Sequence, residues 1–143
     1  MRLVLDTAVM VAAIRSSAGA SRYLLEAALR RQKRITFLVS VPLLIEYEAV
    51  MTRVEHLKAA KISADDLSVL LDAVAAVAEP VTLDFLWRPV LPDGDDEMVL
   101  EAAVNGRADA IVTFNRRDFA PATALFGIAV LAPGAAVERL EAR

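Results

Sequence analysis

The feature that most constrains the fold is the alternation of short apolar runs with longer segments of helical periodicity. Runs of strand length occur at residues 2–5, 35–40, 81–84, 109–113 and 128–131, and helix-length segments separate them. Strands joined through helices form βαβ units, in which the strands lie parallel and the helices cover the sheet. We therefore predict an α/β fold with a central parallel sheet of four to five strands, covered on both faces.

Local signals mark several of the helices between these strands. Pro42 suits the first turn of a helix, and Ser63 followed by Asp66 resembles a capping box. Asn105-Gly106 is a typical helix end. The predicted helices span 8–14, 20–32, 42–54, 64–78, 95–105 and 134–141.

Composition excludes several classes of protein. The chain has 143 residues and neither repeats nor a linker, which predicts one domain with a substantial core. The absence of cysteine excludes disulfides, cysteine-ligated zinc and a thiol nucleophile, and it suits the cytoplasm. No apolar stretch approaches the roughly 18 residues of a membrane span, and no signal peptide is expected. A net charge of −3 argues against binding nucleic acid through diffuse positive charge, but metal-bridged binding stays open.

Asp6 ends the first predicted strand. Ligands and reactive groups gather at the carboxyl ends of the strands in a parallel sheet, so Asp6 lies where a metal ligand would be expected. The alternative is that Asp6 caps the following helix, which aspartate does well. The sequence leaves both interpretations open.

Glu46 and Glu48 lie in the helix after the second strand, and both have mostly apolar neighbours three and four residues away. A carboxylate among apolar side chains is costly unless it has a partner. The two side chains point about 200° apart around the helix, so they cannot both face one site. Periodicity does not choose between them, and a surface ion pair, for example with Arg53, is the alternative.

The most acidic segment is Asp93-Gly94-Asp95-Asp96-Glu97, with four acids in five residues. The dipole of the following helix accounts for one or two of them. Asp96 shares a helix face with apolar residues, so we predict that it points inward and acts as a metal ligand. Glu97 aligns with Glu101 and is predicted to lie on the outward face. If Asp96 is not the ligand, Glu97 or Asp93 is the alternative.

A further polar segment follows the predicted strand 109–113, and it places Asn115 and Asp118 at another carboxyl end. The alternative there is a turn followed by a capped helix. Clustered carboxylates raise one another's pKa values. Two divalent ions would keep them ionised, activate a water and stabilise the leaving oxygen of a phosphodiester. The four acidic positions that could converge are Asp6, Glu46, Asp96 and Asp118.

Other catalytic signatures are absent from the sequence. It contains no phosphate-binding loop, dinucleotide-binding motif or nucleophile elbow. His56 is the only histidine and lies in a segment rich in arginine and lysine, so we interpret it as a surface residue. Trp87, in a proline-marked loop, is interpreted as a packing anchor.

Taken in order, these motifs resemble those of PIN-domain proteins, most of all the toxin components of toxin–antitoxin systems similar to VapC. Each motif is weak alone, but four in this order across residues 3–131 are specific. The stretches that carry the resemblance are Leu5-Asp6-Thr7, Ser40 to Glu48, Trp87 to Ala103 and Val112 to Phe119.

The resemblance implies a three-layer α/β/α domain over residues 1–143 that binds Mg²⁺ or Mn²⁺, cleaves RNA and pairs with an antitoxin. Arg116 and Arg117 would be the best-placed phosphate contacts. Family members often carry Asn or Ser two residues after the first aspartate, where this chain has Ala8. The resemblance implies a metal site with Asp6, Glu46 and Asp96 at its core, completed by Asp118 and Asn115.

Two other functions stay open from the sequence. A PIN-like domain could bind RNA or an antitoxin without cutting, and Ala8 permits this. A phosphoryl-transfer domain with Asp6 as nucleophile would need a second acid beside Asp6 and a downstream lysine, but no lysine lies beyond Lys61. The apolar helices around 42–54 and 64–78 also predict an exposed patch, used in a homodimer or to seat an antitoxin helix.

Overall fold

The structure is a computed structural model that describes residues 1–84 and 90–142. It contains a five-stranded sheet in the order β3-β2-β1-β4-β5, and all four pairings are parallel. This confirms the predicted α/β class and the parallel sheet. The strands are β1 (Arg2–Leu5), β2 (Thr36–Val39), β3 (Glu79–Pro80), β4 (Ala110–Val112) and β5 (Ala129–Leu131).

Helices connect the strands, as the sequence predicts. Of the described helices, α4 was not predicted as a separate element, and α7 follows the turn after β4, where the sequence left a turn followed by a helix open. Trp87, interpreted above as a packing anchor, lies outside the described residues. The helices are α1 (Thr7–Arg15), α2 (Ala20–Leu29), α3 (Val41–Met51), α4 (Val54–Ala60), α5 (Ala64–Val77), α6 (Glu97–Asn105), α7 (Ala120–Phe126) and α8 (Pro133–Glu141).

The central strands β1 and β4 account for the layered architecture. Leu3, Val4 and Leu5 are all buried, and so is every residue of β4. Successive side chains of a strand point to opposite faces of the sheet. Burial of consecutive residues therefore requires helices on both faces, which is the three-layer α/β/α arrangement.

The third strand lies earlier than predicted. The sequence indicated that Pro80 ends a helix and that a strand follows at 81–84, but the strand is Glu79–Pro80. Proline cannot donate a ladder hydrogen bond, and it is tolerated here because β3 lies at the edge of the sheet. The ladder continues through Val81, whose N–H donates to the carbonyl of Val39 at 3.0 Å, an ordinary hydrogen-bond distance.

Two predicted helix starts are confirmed. The Ser40 side chain accepts a hydrogen bond from the backbone of Leu43, and Ser63 and Asp66 form a complete capping box. The helix α6 ends at Asn105, as predicted. Position 106 requires glycine because neighbouring atoms lie too close to leave room for a side chain. A Cβ at Gly106 would lie 2.8 Å from the carbonyl oxygen of Ala102.

The parallel arrangement brings all five strand ends to one edge of the sheet. Asp6 follows β1, Ser40 follows β2, and Thr113 follows β4. None of the helices in the described ranges has the length and apolar character needed to cross a bilayer. Of the residues predicted to be functional, Asp6, Asn115 and Asp118 thus follow strands that end side by side.

Candidate metal centre

Asp6 is held at the end of β1 by hydrogen bonds to the neighbouring strand. Its backbone N–H donates to the carbonyl of Val112 at 2.9 Å, and its carboxylate accepts from the Thr113 hydroxyl at 2.8 Å. Asp6 occupies the N-cap position of α1, yet its side chain makes no capping hydrogen bond. The side chain therefore does not play the capping role that the sequence left open.

The carboxylate of Asp6 lies in a sheltered position, and the residue is only 9 % exposed. Burial raises the pKa of Asp6, while the hydrogen bonds from Thr113 and from the backbone of Thr7 act in the opposite direction. The charge of Asp93 raises the pKa further. The hydrogen bonds to the Asp6 carboxylate thus offset only part of the cost of burying its charge.

Asp96 ends a 3-10 turn, Gly94–Asp96, which leads directly into α6. Its pKa is raised to about 6, first by burial and then by the charges of Asp6, Asp93, Asp118 and Asp95. Coulombic interactions weaken with distance, so aspartates that raise the pKa of Asp96 lie in its neighbourhood. Acidic residues from three separate parts of the chain thus converge at the carboxyl edge of the sheet.

The raised pKa of Asp96 gives a pH-dependent prediction for the metal-free protein. Its folded pKa of about 6 exceeds the ordinary 3.8, so the folded state holds the proton more tightly. The free energy of unfolding should therefore fall as pH rises between these values, and the full destabilisation is present above about 6. At pH values above about 6, in EDTA, Asp96→Asn should raise the midpoint temperature of unfolding. Below pH 3.8 it should have little effect.

Thermal unfolding across this range would check the prediction, with Asp95→Asn as the matched control. Asp95 is exposed in the same turn, and the variant makes the same change in charge. We expect the control to shift the midpoint less than Asp96→Asn. An equal gain for Asp96→Asn at both ends of the pH range would contradict the assigned pKa shift.

Asn115 and Asp118 lie in the turn after β4, as the sequence predicts. The Asn115 side-chain amide donates to the Asp118 carboxylate, and its backbone N–H donates to the Thr113 hydroxyl at 3.0 Å. The same hydroxyl donates to Asp6. Thr113 therefore connects Asp6 to the Asn115–Asp118 pair through one buried oxygen.

Glu46 and Glu48 differ in exposure, which periodicity could not predict. Glu46 is half-buried on α3, whereas Glu48 is exposed. Between them, the buried Tyr47 donates a hydrogen bond to the carbonyl of Leu5, the residue before Asp6. The pKa of Tyr47 is raised by burial and then by the charge of Asp6, so its hydroxyl remains a donor. Tyr47 ties α3 to the end of β1, and burial favours Glu46 over Glu48 as the residue that faces inward.

The predicted orientation of Glu97 is wrong. Glu97 and Glu101 are both buried, at 2 % exposure each, and do not form an outward face. One Glu97 oxygen accepts from the backbone N–H groups of Val90 and Leu91 at 2.7 and 2.9 Å, and the other oxygen has no hydrogen-bond partner among residues 1–84 and 90–142. The helix α6 contacts β1, β2, β4 and α3, so it is packed on several sides, and Glu97 at its start is buried. Glu97 fixes the segment that precedes the acidic turn.

Asp93 also has a local role. Its carboxylate accepts a hydrogen bond from the backbone N–H of Asp95 at 3.0 Å, which caps the 3-10 turn. Asp96 is half-buried, and burial and the neighbouring aspartates raise its pKa to about 6. The choice of Asp96 over Asp93 and Glu97 as the ligand stays a prediction.

Sequence reasoning missed two residues of this site, Thr113 and Tyr47. Thr113 directly follows a buried strand and is itself fully buried, so its hydroxyl needs a partner. Tyr47 lies next to a predicted ligand on a helix, and a buried phenol also needs a partner. A polar group at a predicted buried position is the signal that could have identified both.

The donors at this edge are carboxylate and amide oxygens, which Mg²⁺ and Mn²⁺ prefer. Negative charge that raises the pKa of a neighbouring carboxyl would be neutralised by a divalent cation, so the donor set fits such an ion. Across residues 1–84 and 90–142, no three His, Asp or Glu side chains lie in a geometry that could hold a metal ion. In the same ranges the side chain of Glu46 makes no hydrogen bond or ion pair. The ligand set Asp6, Glu46, Asp96, Asp118 and Asn115 therefore stays a prediction.

A family model described as PIN domain matches residues 2–117, which is most of the chain. The chain belongs to the PIN domain family. The matched region includes Asp6, Glu46, Asp96 and Asn115, and Asp118 lies one residue beyond it. The family assignment confirms the resemblance inferred from the sequence motifs.

The fold of this PIN domain is similar to that of a solved structure, VapBC2 from Rickettsia felis bound to a DNA fragment from their promoter. The similarity has a TM-score of 0.63 and covers 92 % of this chain and 98 % of the other. The sequence identity is 16 %, so the likeness concerns the fold. No curated protein matches the chain.

Proposed function

We propose that this PIN domain is a metal-dependent endoribonuclease that acts as the toxin of a toxin–antitoxin pair. The observation that carries the proposal is the convergence of carboxylates at the carboxyl edge of the sheet. There the pKa of Asp96 is raised to about 6 by burial and by the charges of four other aspartates. A site that gathers unneutralised carboxylates in a PIN domain is suited to divalent cations and, through them, to a phosphodiester.

In this proposal Asp6, Glu46, Asp96 and Asp118 hold Mg²⁺ or Mn²⁺, with Asn115 as a further ligand. When bound, the cation lowers the pKa of water and stabilises negative charge on the leaving oxygen. Thr113 orients the Asp6 carboxylate through its 2.8 Å hydrogen bond. Tyr47 fixes the helix that carries Glu46 relative to the strand that carries Asp6.

The proposed substrate is RNA, and two cations beside the acidic cluster support it. Arg116 and Arg117 are exposed in the turn between Asn115 and Asp118. Neither forms an ion pair with the described residues. Guanidinium groups that are not paired with other described side chains can contact phosphate, and here they lie next to the site that would cut.

The proposed partners are a cognate antitoxin and a second copy of the chain. Exposed apolar side chains support a protein interface on α3, α4 and α5, where the sequence predicts an apolar patch. Val41, Ile45, Val54 and Val69 are each more than half exposed. The similar fold in VapBC2 agrees with an antitoxin partner.

The test is cleavage of single-stranded RNA by the purified protein in Mg²⁺, in Mn²⁺ and in EDTA. We expect cleavage with either metal and none in EDTA, since the carboxylates alone offer neither an electrophile nor an activated nucleophile. Binding of Mn²⁺ measured by calorimetry should accompany activity. Cleavage that persists in EDTA would contradict the metal-dependent mechanism.

A second candidate is a PIN domain that binds RNA or an antitoxin without cutting. Ala8 favours it, because this exposed residue offers no polar group where family members often have Asn or Ser. The same assay separates the two functions. RNA binding without cleavage in any metal would favour the second candidate, and Ala8→Asn would then be the variant to test for a gain of activity.

A further inference from the structure

An exposed aromatic side chain lies beside the acidic cluster and plays no part in the metal site described above. Phe114 is 58 % exposed, although it directly follows the buried strand β4 and the buried Thr113. An exposed phenylalanine forgoes the stabilisation that burial would give it. Its neighbours Thr113 and Asn115 are both hydrogen-bonded within the acidic site. Phe114 is thus attached to the same turn that positions the proposed ligands.

Phe114 also borders an open groove of about 380 Å³. The opposite wall comes from the connection between α1 and α2 and from the start of α8, and the residues that line it are small. They include Ala18, Gly19, Ala132 and Gly134. We call this surface the Phe114 groove. Small residues leave room beside the phenyl ring for a flat group.

We propose that the Phe114 groove receives an unpaired nucleobase of the RNA, stacked on Phe114 next to the phosphate that is cut. This inference rests on the proposed nuclease function and deepens it, because it specifies how the site would hold a single strand of RNA. The charge of the turn supports a nucleic acid as the occupant. Arg116 and Arg117 lie two and three residues after Phe114. Both are exposed, and neither forms an ion pair with the described residues.

The combination of an aromatic face with adjacent cations is how proteins bind single strands. The base stacks on the ring, and the arginines contact the flanking phosphates. In a duplex, both faces of each base are already stacked on neighbours and the base is paired. Only an unpaired base can place a face on Phe114, so the groove selects for single-stranded segments.

The test uses the Asp6→Asn protein, which is expected to leave RNA intact, and a fluorescein-labelled oligoadenylate read by fluorescence anisotropy. Phe114→Ala should weaken binding of the single strand roughly 5- to 150-fold, the range for loss of one stacked base. Phe114→Trp should retain or strengthen binding. Binding of the oligoadenylate–oligouridylate duplex should not change between these variants.

The matched control is Leu125→Ala, which removes an apolar side chain of comparable exposure from α7. It should leave affinity for the single strand unchanged. The Phe114→Trp variant adds a direct readout, because a stacked base quenches tryptophan fluorescence. Its quenching should exceed that of the parent protein, whose only tryptophan is Trp87.

The outcomes separate this inference from the nuclease proposal. If wild type cleaves RNA but Phe114→Ala binds the single strand normally, the stacking is wrong and the nuclease proposal stands. If Phe114→Ala weakens single strand and duplex equally, the stacking is also wrong. If binding depends on Phe114 but wild type cleaves under no condition, the stacking stands and the nuclease proposal fails.

Discussion

Asp6→Asn should abolish RNA cleavage while leaving the fold intact. The change keeps the size of the side chain and an oxygen that can accept the Thr113 hydrogen bond, but it removes the charge that would hold a divalent cation. Loss of metal-assisted activation should lower the cleavage rate by about three orders of magnitude or more. The rate is to be measured on single-stranded RNA in Mg²⁺ and in Mn²⁺.

In the absence of metal, Asp6→Asn should not lower the free energy of unfolding. Burial raises the pKa of Asp6, which means that the ionised form is disfavoured in the folded state. A neutral asparagine avoids that cost at neutral pH. The matched control is Glu48→Gln, a change of charge at an exposed position on α3, which should leave the cleavage rate nearly unchanged. An Asp6→Asn protein that cuts at the wild-type rate would exclude the proposed metal site.

Thr113→Val should weaken Mn²⁺ binding and slow cleavage by about 10- to 100-fold each, the usual cost of losing a partner that orients a metal ligand. Valine has nearly the shape of threonine, so the core packing is retained. The variant removes the donor to Asp6 and leaves the backbone N–H of Asn115 without its acceptor. Chiefly because the buried Asp6 carboxylate loses its donor, the free energy of unfolding should fall by about 1–3 kcal/mol.

Thr113→Ser is the control for this prediction, since it keeps the hydroxyl and removes only a methyl group. It should restore most of the Mn²⁺ affinity seen by calorimetry, even if it costs stability. Wild-type Mn²⁺ affinity in Thr113→Val would show that the hydroxyl has no part in orienting Asp6. A serine variant as impaired as the valine variant would point instead to a packing role.

Local periodicity was enough to predict the fold of this chain. A run such as Arg2–Leu5, apolar up to an aspartate and followed by a helix, is typical of a buried parallel strand, and the structure confirms it. The turn with Asn115 and Asp118 was predictable for the same reason, since it directly follows the apolar strand β4. Strand ends of a parallel sheet lie at one edge, so placing the strands also places the residues that follow them.

Periodicity failed where burial depends on elements distant in sequence. Glu97 was predicted to face outward from the pattern of α6 itself, yet α6 packs against three strands and α3, and Glu97 is buried. The carboxylate is accommodated by backbone N–H groups of Val90 and Leu91, and no helical pattern indicates such partners. The choice between Glu46 and Glu48 likewise depended on how α3 lies against its neighbours.

Patterns in the sequence were sufficient to predict the α/β class, the parallel sheet and the edge at which Asp6, Asn115 and Asp118 follow their strands. What each carboxylate contacts depends on the tertiary structure. Asp6 and Thr113 are 107 residues apart, and their hydrogen bond exists because β1 and β4 pair in a register that aligns Leu5 with Val112. Periodicity reports which face of an element is apolar, whereas the partner of a buried polar group is set by strand register and helix packing.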